Sequence, residues 1–356
     1  LEIKINKKLW RVEESPYGKV MDERSIRWPL FILLFTSILL IISALSFSLG
    51  SSHIPLRKII PLILKGKGTV EYTILFDIRL PRILLGLAVG GALSISGVIL
   101  QAMFRNPLVE PYTLGISGGA ALFVSLNIVF KLNQRFGFIS LPVSGFLGAI
   151  VVILLVYIFS LKRGILKIQG LLLTGVMISF ISSSLIMLIM AISHAEDLHG
   201  IVFWIMGSLE EPKPVLVKLM LFVSILGLIV SYLFCFDLNA LLLGEEEAIH
   251  LGINVERAKR YLFIIASVLT GFSVGIAGII GFVGLLVPHL MRMLVGSDYR
   301  ILLISAFLSG AGFLILCDTL ARTIISPLEL PVGVITGIIG GGLFIYALTK
   351  KQPLDH

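Results

Sequence analysis

The sequence predicts an all-α polytopic membrane protein with about ten transmembrane helices. Three observations carry this reading: 57% of the residues are hydrophobic, only 14% are charged, and apolar runs recur from residue 29 to residue 349. A mean hydropathy of +1.02 excludes a soluble domain. A hydrocarbon core about 30 Å thick takes roughly 20 helical residues. Spans therefore fall at 29–49, 74–103, 113–130, 140–160, 170–192, 214–234, 259–277, 284–294, 300–320 and 332–349, the eighth of them short. No stretch outside them is long enough for a second domain. The chain divides into an N-terminal tail (1–28), one transmembrane domain (29–350) and a short C-terminal tail (351–356).

The first apolar run follows a charged tail and has no small-residue cleavage site, so it reads as a retained span rather than a signal peptide. The second opens on Arg79-Leu80-Pro81-Arg82 and stops at Arg105-Asn106-Pro107-Leu108-Val109-Glu110-Pro111, where each proline disfavours helix in the residue before it. Helix resumes through Tyr112–Ala120. The fifth span carries Thr174, Ser179, Ser182, Ser183 and Ser184 in an otherwise apolar helix. Such a stripe suits pore lining or hydrogen bonding between helices. Between the fifth and sixth spans, Ser193–Gly207 is amphipathic and can roof a pathway or lie in an interfacial aromatic belt. Its His194 and His199 can ligate haem iron, although exposed histidines commonly ligate nothing.

A charged island, Leu243–Arg257, separates the sixth and seventh spans. It reads as two short helices at about 243–258: Gly252 takes a left-handed cap, and Asn254 caps the next helix with Glu256 in its first turn. An ordinary solvated loop has the same composition. A second break, Gly278–Pro288, precedes the short eighth span. Irregular backbone at membrane depth survives only where protein or a water-filled path satisfies it, and discontinuous helices in two halves of a transporter point to its route. In the ninth span, Asp318 and Arg322 stand one helical turn apart, a spacing that favours a pair. Arg79, Arg82 and Arg322 are expected to form one exposed outer cluster. Their planar forks suit carboxylates, and snorkelling to lipid headgroups is the competing account.

Of the 29 lysines and arginines, 18 lie on the side that holds the N-terminus and 11 on the other. Cationic residues resist translocation, so both termini and the island are expected in the cytoplasm, with the protein multi-pass in the cytoplasmic (inner) membrane. The net charge of +8 reflects this topology and inner-leaflet lipid, not nucleic acid. The 35 glycines cluster inside spans, as helices packed closely in lipid require. Two cysteines, Cys235 and Cys317, give no disulfide framework.

Catalytic motifs are absent. The chain has no phosphate loop, no His-Glu-x-x-His and no paired-cysteine metal site, so no metal site is expected and the chain is expected to hydrolyse no nucleotide by itself. Gly115-Ile116-Ser117-Gly118, with His289 as base, imitates the serine site of an intramembrane protease, a four-residue match that is cheap in a Gly- and Ser-rich chain. An ion-coupled secondary carrier is the stronger rival, with Asp318 as its coupling group.

Arg79-Leu80-Pro81-Arg82, Gln101–Leu108 with Pro111 and Leu114–Ser117, Trp204-Ile205-Met206-Gly207, the island, Gly281–His289 and Glu329-Leu330-Pro331-Val332-Gly333 occur in this order. Together they resemble the FecCD-type permeases of ABC importers for iron-siderophores, haem and cobalamin, over about residues 30–350. The resemblance implies a type II ABC importer bundle, a second permease copy or paralogue, two cytoplasmic ABC ATPase subunits and an extracytoplasmic solute-binding protein. It implies no cofactor on this chain, with ATP and Mg2+ on the partner ATPase. It further implies that Leu243, Gly244, Glu245, Glu246, Glu247, Ala248, Leu251 and Gly252 couple to the ATPase, that Arg79, Arg82 and Arg322 receive the binding protein, and that Asn106, Pro107 and Leu108 belong to the cytoplasmic gate. Thr174, Ser179, Ser182 and Ser183 would then line the route.

Overall fold

A computed structural model describes residues 16–50, 55, 61, 68–162, 165–210 and 213–349. Residues 1–15 of the N-terminal tail, the C-terminal tail, and Arg57, Lys58, Lys65, Lys67, Arg163, Lys350 and Lys351 of the charge count lie outside them. The described chain is a helical bundle: α1 Pro16–Ser48, α2 Val70–Phe104, α3 Ile116–Val129, α4 Ser140–Ser160, α5 Ile168–Ile192, α6 Ala195–Ile205, α7 Pro214–Leu233, α8 Cys235–Leu243, α9 Glu245–His250, α10 Val255–Ala277, α11 Val283–Val295, α12 Tyr299–Thr323 and α13 Val332–Thr349. Every apolar run becomes helix. Helix α1 begins inside the charged tail and passes through Pro29. The one non-helical ladder described is a ribbon pairing Leu161–Lys162 with Ile165–Leu166.

Helix α2 is the axis of the bundle and packs against α7, α10, α11 and α12. Its most apolar window is 89% buried, against 17% for α5. Small residues set that contrast, because burial against lipid drives no association and close backbone approach must supply it. A Cβ placed on Gly97 of α2 would lie 1.9 Å from the carbonyl oxygen of Gly284 in α11. Helix α5 instead turns Leu173, Phe180, Ile181 and Met187 outward.

The two chain breaks meet each other. Helix α2 ends at Arg105 in a left-handed conformation, with Arg105 N–H returning to Ala102 O and Asn106 N–H to Gln101 O. Gly278 (φ +72°) ends α10, and Phe282 (φ +68°) opens α11. The Glu110 carboxylate accepts the Phe282 N–H at 2.7 Å. Tyr112 Oη accepts the Ile280 N–H and donates to Ile280 O, both at 3.0 Å. Each loop thereby satisfies backbone groups that the other leaves without helical partners. This explains why α3 and α11 are short, since both start from this meeting point inside the bundle.

Candidate transport and docking sites

Arg79, Arg82 and Arg322 are clustered but not exposed. Arg79 is 3% exposed, and Arg82 and Arg322 are each 4% exposed, which corrects the expectation of an open cationic surface. Arg82 Nε donates to Asp318 Oδ1 at 2.7 Å and its Nη1 to Glu329 Oε2 at 2.6 Å. Arg322 Nε donates to the other Asp318 oxygen at 3.0 Å, so the one-turn pair forms, and its Nη2 reaches Ser46 Oγ at 2.9 Å. Arg79 Nη1 donates to the carbonyls of Phe47 and Ser48 at 2.8 and 3.0 Å. Buried guanidinium is tolerable only with such partners. Apart from the one-turn pair, these come from α1, α12 and the loop before α13 at long range, so local sequence does not announce them. Glu329 is half-buried at the rim of an outer cavity of about 340 Å³ that also meets Trp204 and Phe203.

On the island, α9 and α10 take the expected caps. Gly252 has φ +84°, and Asn254 Oδ1 accepts the Arg257 N–H at 3.0 Å, a cap that contributes about 1 kcal/mol. Leu243 and Leu251 flank α9 at 64% and 63% exposure, with Gly244 (φ +131°) turning the chain between α8 and α9. Ala248 is fully buried. It is the foot on which α9 stands, not part of the outward face. Glu246 and Glu247 are exposed, whereas Glu245 is bound to the buried ammonium of Lys259 at 2.6 Å. Lys259 also meets Glu256 at 3.5 Å, and Glu256 Oε2 accepts the Leu166 N–H at 2.9 Å. The island is therefore fastened to the bundle through Lys259, a residue that the sequence reading counted only as a topogenic charge.

Asn106, Pro107 and Leu108, expected at the gate, are exposed in an Asx turn, with Asn106 Oδ1 accepting the Leu108 N–H at 2.9 Å. Asn106 and Pro107 border a cavity of about 570 Å³. The serine stripe of α5 splits in two. Ser179 and Ser182 face the start of α3 at Gly115 and Gly118, Thr174 is half-buried, and Ser183 and Ser184 are exposed on the outward face. Among the described residues no hydrogen bond joins Ser117 to His289, whose ring packs edge-on to Phe344 at 5.7 Å. His199 stacks on Phe203 at 4.2 Å, and the described residues hold no cluster of three or more metal-ligating side chains. Near the island, burial raises the Asp298 pKa, but hydrogen bonds from Arg300 and Asn239 outweigh it and hold the carboxyl below its ordinary value.

Glu110 and Tyr112, which join the two chain breaks, were quoted by sequence reasoning but given no role. Their partners lie 172 and 168 positions away. A glutamate and a tyrosine bracketing a proline at a helix break are the signal that was present.

A polytopic bundle with two interlocked chain breaks and an exposed charged island defines a membrane permease. The model of the FecCD transport family matches residues 38–350, and the chain belongs to that family. It is 39% identical over 331 residues to a haemin transport system permease of Yersinia pestis, covering 91% of this chain and 97% of that protein. It is 37% identical to a ferric dicitrate transport system permease of Escherichia coli, covering 80% and 88%. It is 38% identical to a cobalamin import system permease of Halobacterium salinarum, covering 81% and 76%. Among solved structures, an inward-facing metal-chelate type ABC transporter superposes with a TM-score of 0.79 at 32% identity, over 91% of this chain and all of that one.

Proposed function

We propose that this chain forms, with a second permease copy or paralogue, the pathway of a type II ABC importer for an iron chelate. Iron-siderophores are the favoured cargo, with haem and cobalamin next, in line with relatives named for haemin, cobalamin and ferric citrate. The observation that carries the reading is α9 with its exposed flanking leucines, a short amphipathic element suited to a groove on another protein. Two ATPases docked there would hold ATP and Mg2+ and drive the conformational change by shifting its population. Ser183 and Ser184, exposed on α5, would line the route where the second permease meets this one. The carrier alternative loses support because Asp318, its coupling group, is committed to Arg82 and Arg322.

Replacing Leu243 and Leu251 together by aspartate is expected to strip the ATPase from the purified complex and abolish ATP-driven uptake. Both side chains are already exposed, so folding should be spared. Undiminished co-purification of the ATPase refutes the coupling role, and uptake driven by an ion gradient without ATPase restores the carrier.

The charge distribution supports a cytoplasmic side for the island and both termini. A cysteine at position 247 should therefore resist an impermeant reagent added outside; labelling would invert the topology.

An extracytoplasmic binding protein would dock on the other side, its carboxylates engaging Arg79, Arg82 and Arg322 in competition with Asp318 and Glu329. Its association rate should fall roughly tenfold from low to high salt, because steering between charged surfaces is screened. A salt-independent rate removes these arginines from docking. Selectivity would rest largely with that binding protein.

A further inference from the structure

The cavity beside the gate loop is lined by Gln101, Arg105, Asn106, His289, Arg292 and Tyr299, and by no acidic residue. Its volume of about 570 Å³ lies in the range of small-molecule sites, roughly 300–1,000 Å³. Two guanidinium groups line it without a carboxylate. Arg105 Nη2 makes a long bond to Leu242 O at 3.4 Å, and Arg292 Nη1 a long bond to Gln101 Oε1 at 3.3 Å. Neither forms an ion pair among the described residues, in contrast to Arg82, Arg322 and Arg300, each of which holds an acidic partner. The nearby acidic residue, Asp298, is bound to Arg300 at 2.6 Å and Asn239 at 3.2 Å.

A second observation concerns a hydroxyl on the same wall. Tyr299 is fully buried in the cavity wall, and its hydroxyl lies beside the Arg292 guanidinium without a hydrogen bond of good geometry. A buried hydroxyl held by so poor a contact stands out against the rule that such groups are well satisfied. Ser297 adds a hydroxyl and Asn106 an amide to the same wall. The donor set is therefore two planar forks and several neutral donors from three separate elements: the end of α2, α11 and the start of α12. A compact oxyanion with several acceptor oxygens and more than one negative charge matches it, since guanidinium forks bind phosphoryl oxygens in pairs.

We propose that this cavity binds the phosphoryl group of a phosphate-bearing anion, supplied either by free phosphate or by an anionic lipid headgroup. The ligand joins Arg105 to Arg292 and Tyr299, and so ties the residue that precedes the gate loop to α11 and α12. The cavity's cytoplasmic position rests on the topology proposed above, but the binding test does not depend on it.

The test uses the full chain in nanodiscs and reads its thermal unfolding midpoint. In phosphatidylcholine discs, inorganic phosphate is titrated. In a second arm, phosphatidylglycerol is introduced into the discs, and lipid retained by the protein is counted by native mass spectrometry. A saturable rise of the midpoint with phosphate identifies the free anion. Retention of phosphatidylglycerol that added phosphate displaces identifies the headgroup. Arg105→Gln with Arg292→Gln should weaken either response by at least about tenfold, as loss of two charge-assisted contacts requires. Tyr299→Phe removes only the hydroxyl beside Arg292, so its response to either probe, read against its own ligand-free midpoint, should weaken several-fold. That variant decides the question if the double arginine variant fails to fold. No saturable response to either probe, or an equal response in wild type and Tyr299→Phe, overturns the proposal.

Discussion

Replacing Asp318 by alanine is expected to destabilise the protein by about 3–5 kcal/mol, the cost of leaving buried charge uncompensated. Asp318 is 1% exposed and gives one oxygen to Arg82 and the other to Arg322. Among the described residues, its loss strips Arg322 of its sole carboxylate partner and leaves Arg82 only Glu329, at the cavity rim. Asp318→Asn, which retains the shape and one acceptor oxygen, should cost less than the alanine variant. Unfolding midpoints of the detergent-purified variants measure both. An alanine variant as stable as the wild type would mean that the cluster is not a structural pivot.

Gly97→Ala is the second large effect. The new Cβ would sit 1.9 Å from Gly284 O, a backbone atom that cannot rotate away. Helices α2 and α11 must then separate, and the Gln101 amide loses its grip on Gly284 O and Leu285 O, now 3.3 and 3.2 Å away. Overpacking of this kind costs about 1–3 kcal/mol or more. Gly337→Ala is the matched control, because a Cβ there meets nothing within 4 Å; it should be neutral or stabilising by up to about 1 kcal/mol through helix propensity. Equal behaviour of the two variants would show that α2 and α11 do not rely on close backbone contact.

What was legible in the sequence was local. Apolar length located the helices, Asn254 and Gly252 announced their caps three to four residues from the groups they serve, and Asp318 with Arg322 announced a pair one turn apart. What was not legible depends on partners brought together by the fold. Arg82 looked like a surface charge because Asp318 lies 236 residues away and Glu329 lies 247 away. Glu245 looked like part of a wet acidic face because nothing nearby in sequence marks Lys259 as buried. Ala248 carried no sign of which side of α9 it occupies, a matter settled only by packing against the bundle.

The meeting of the two chain breaks has a mechanical corollary. Glu110 and Tyr112 hold the segment before α11, and the same segment is gripped from beyond by Ser208, whose N–H donates to Ala277 O at 2.9 Å just past α6. The loop that begins at Asn106 and the roof that ends at Gly207 thus share one splice within the bundle. Because these hydrogen bonds join the two breaks, displacing either one strains the other without any whole span having to slide along its neighbours.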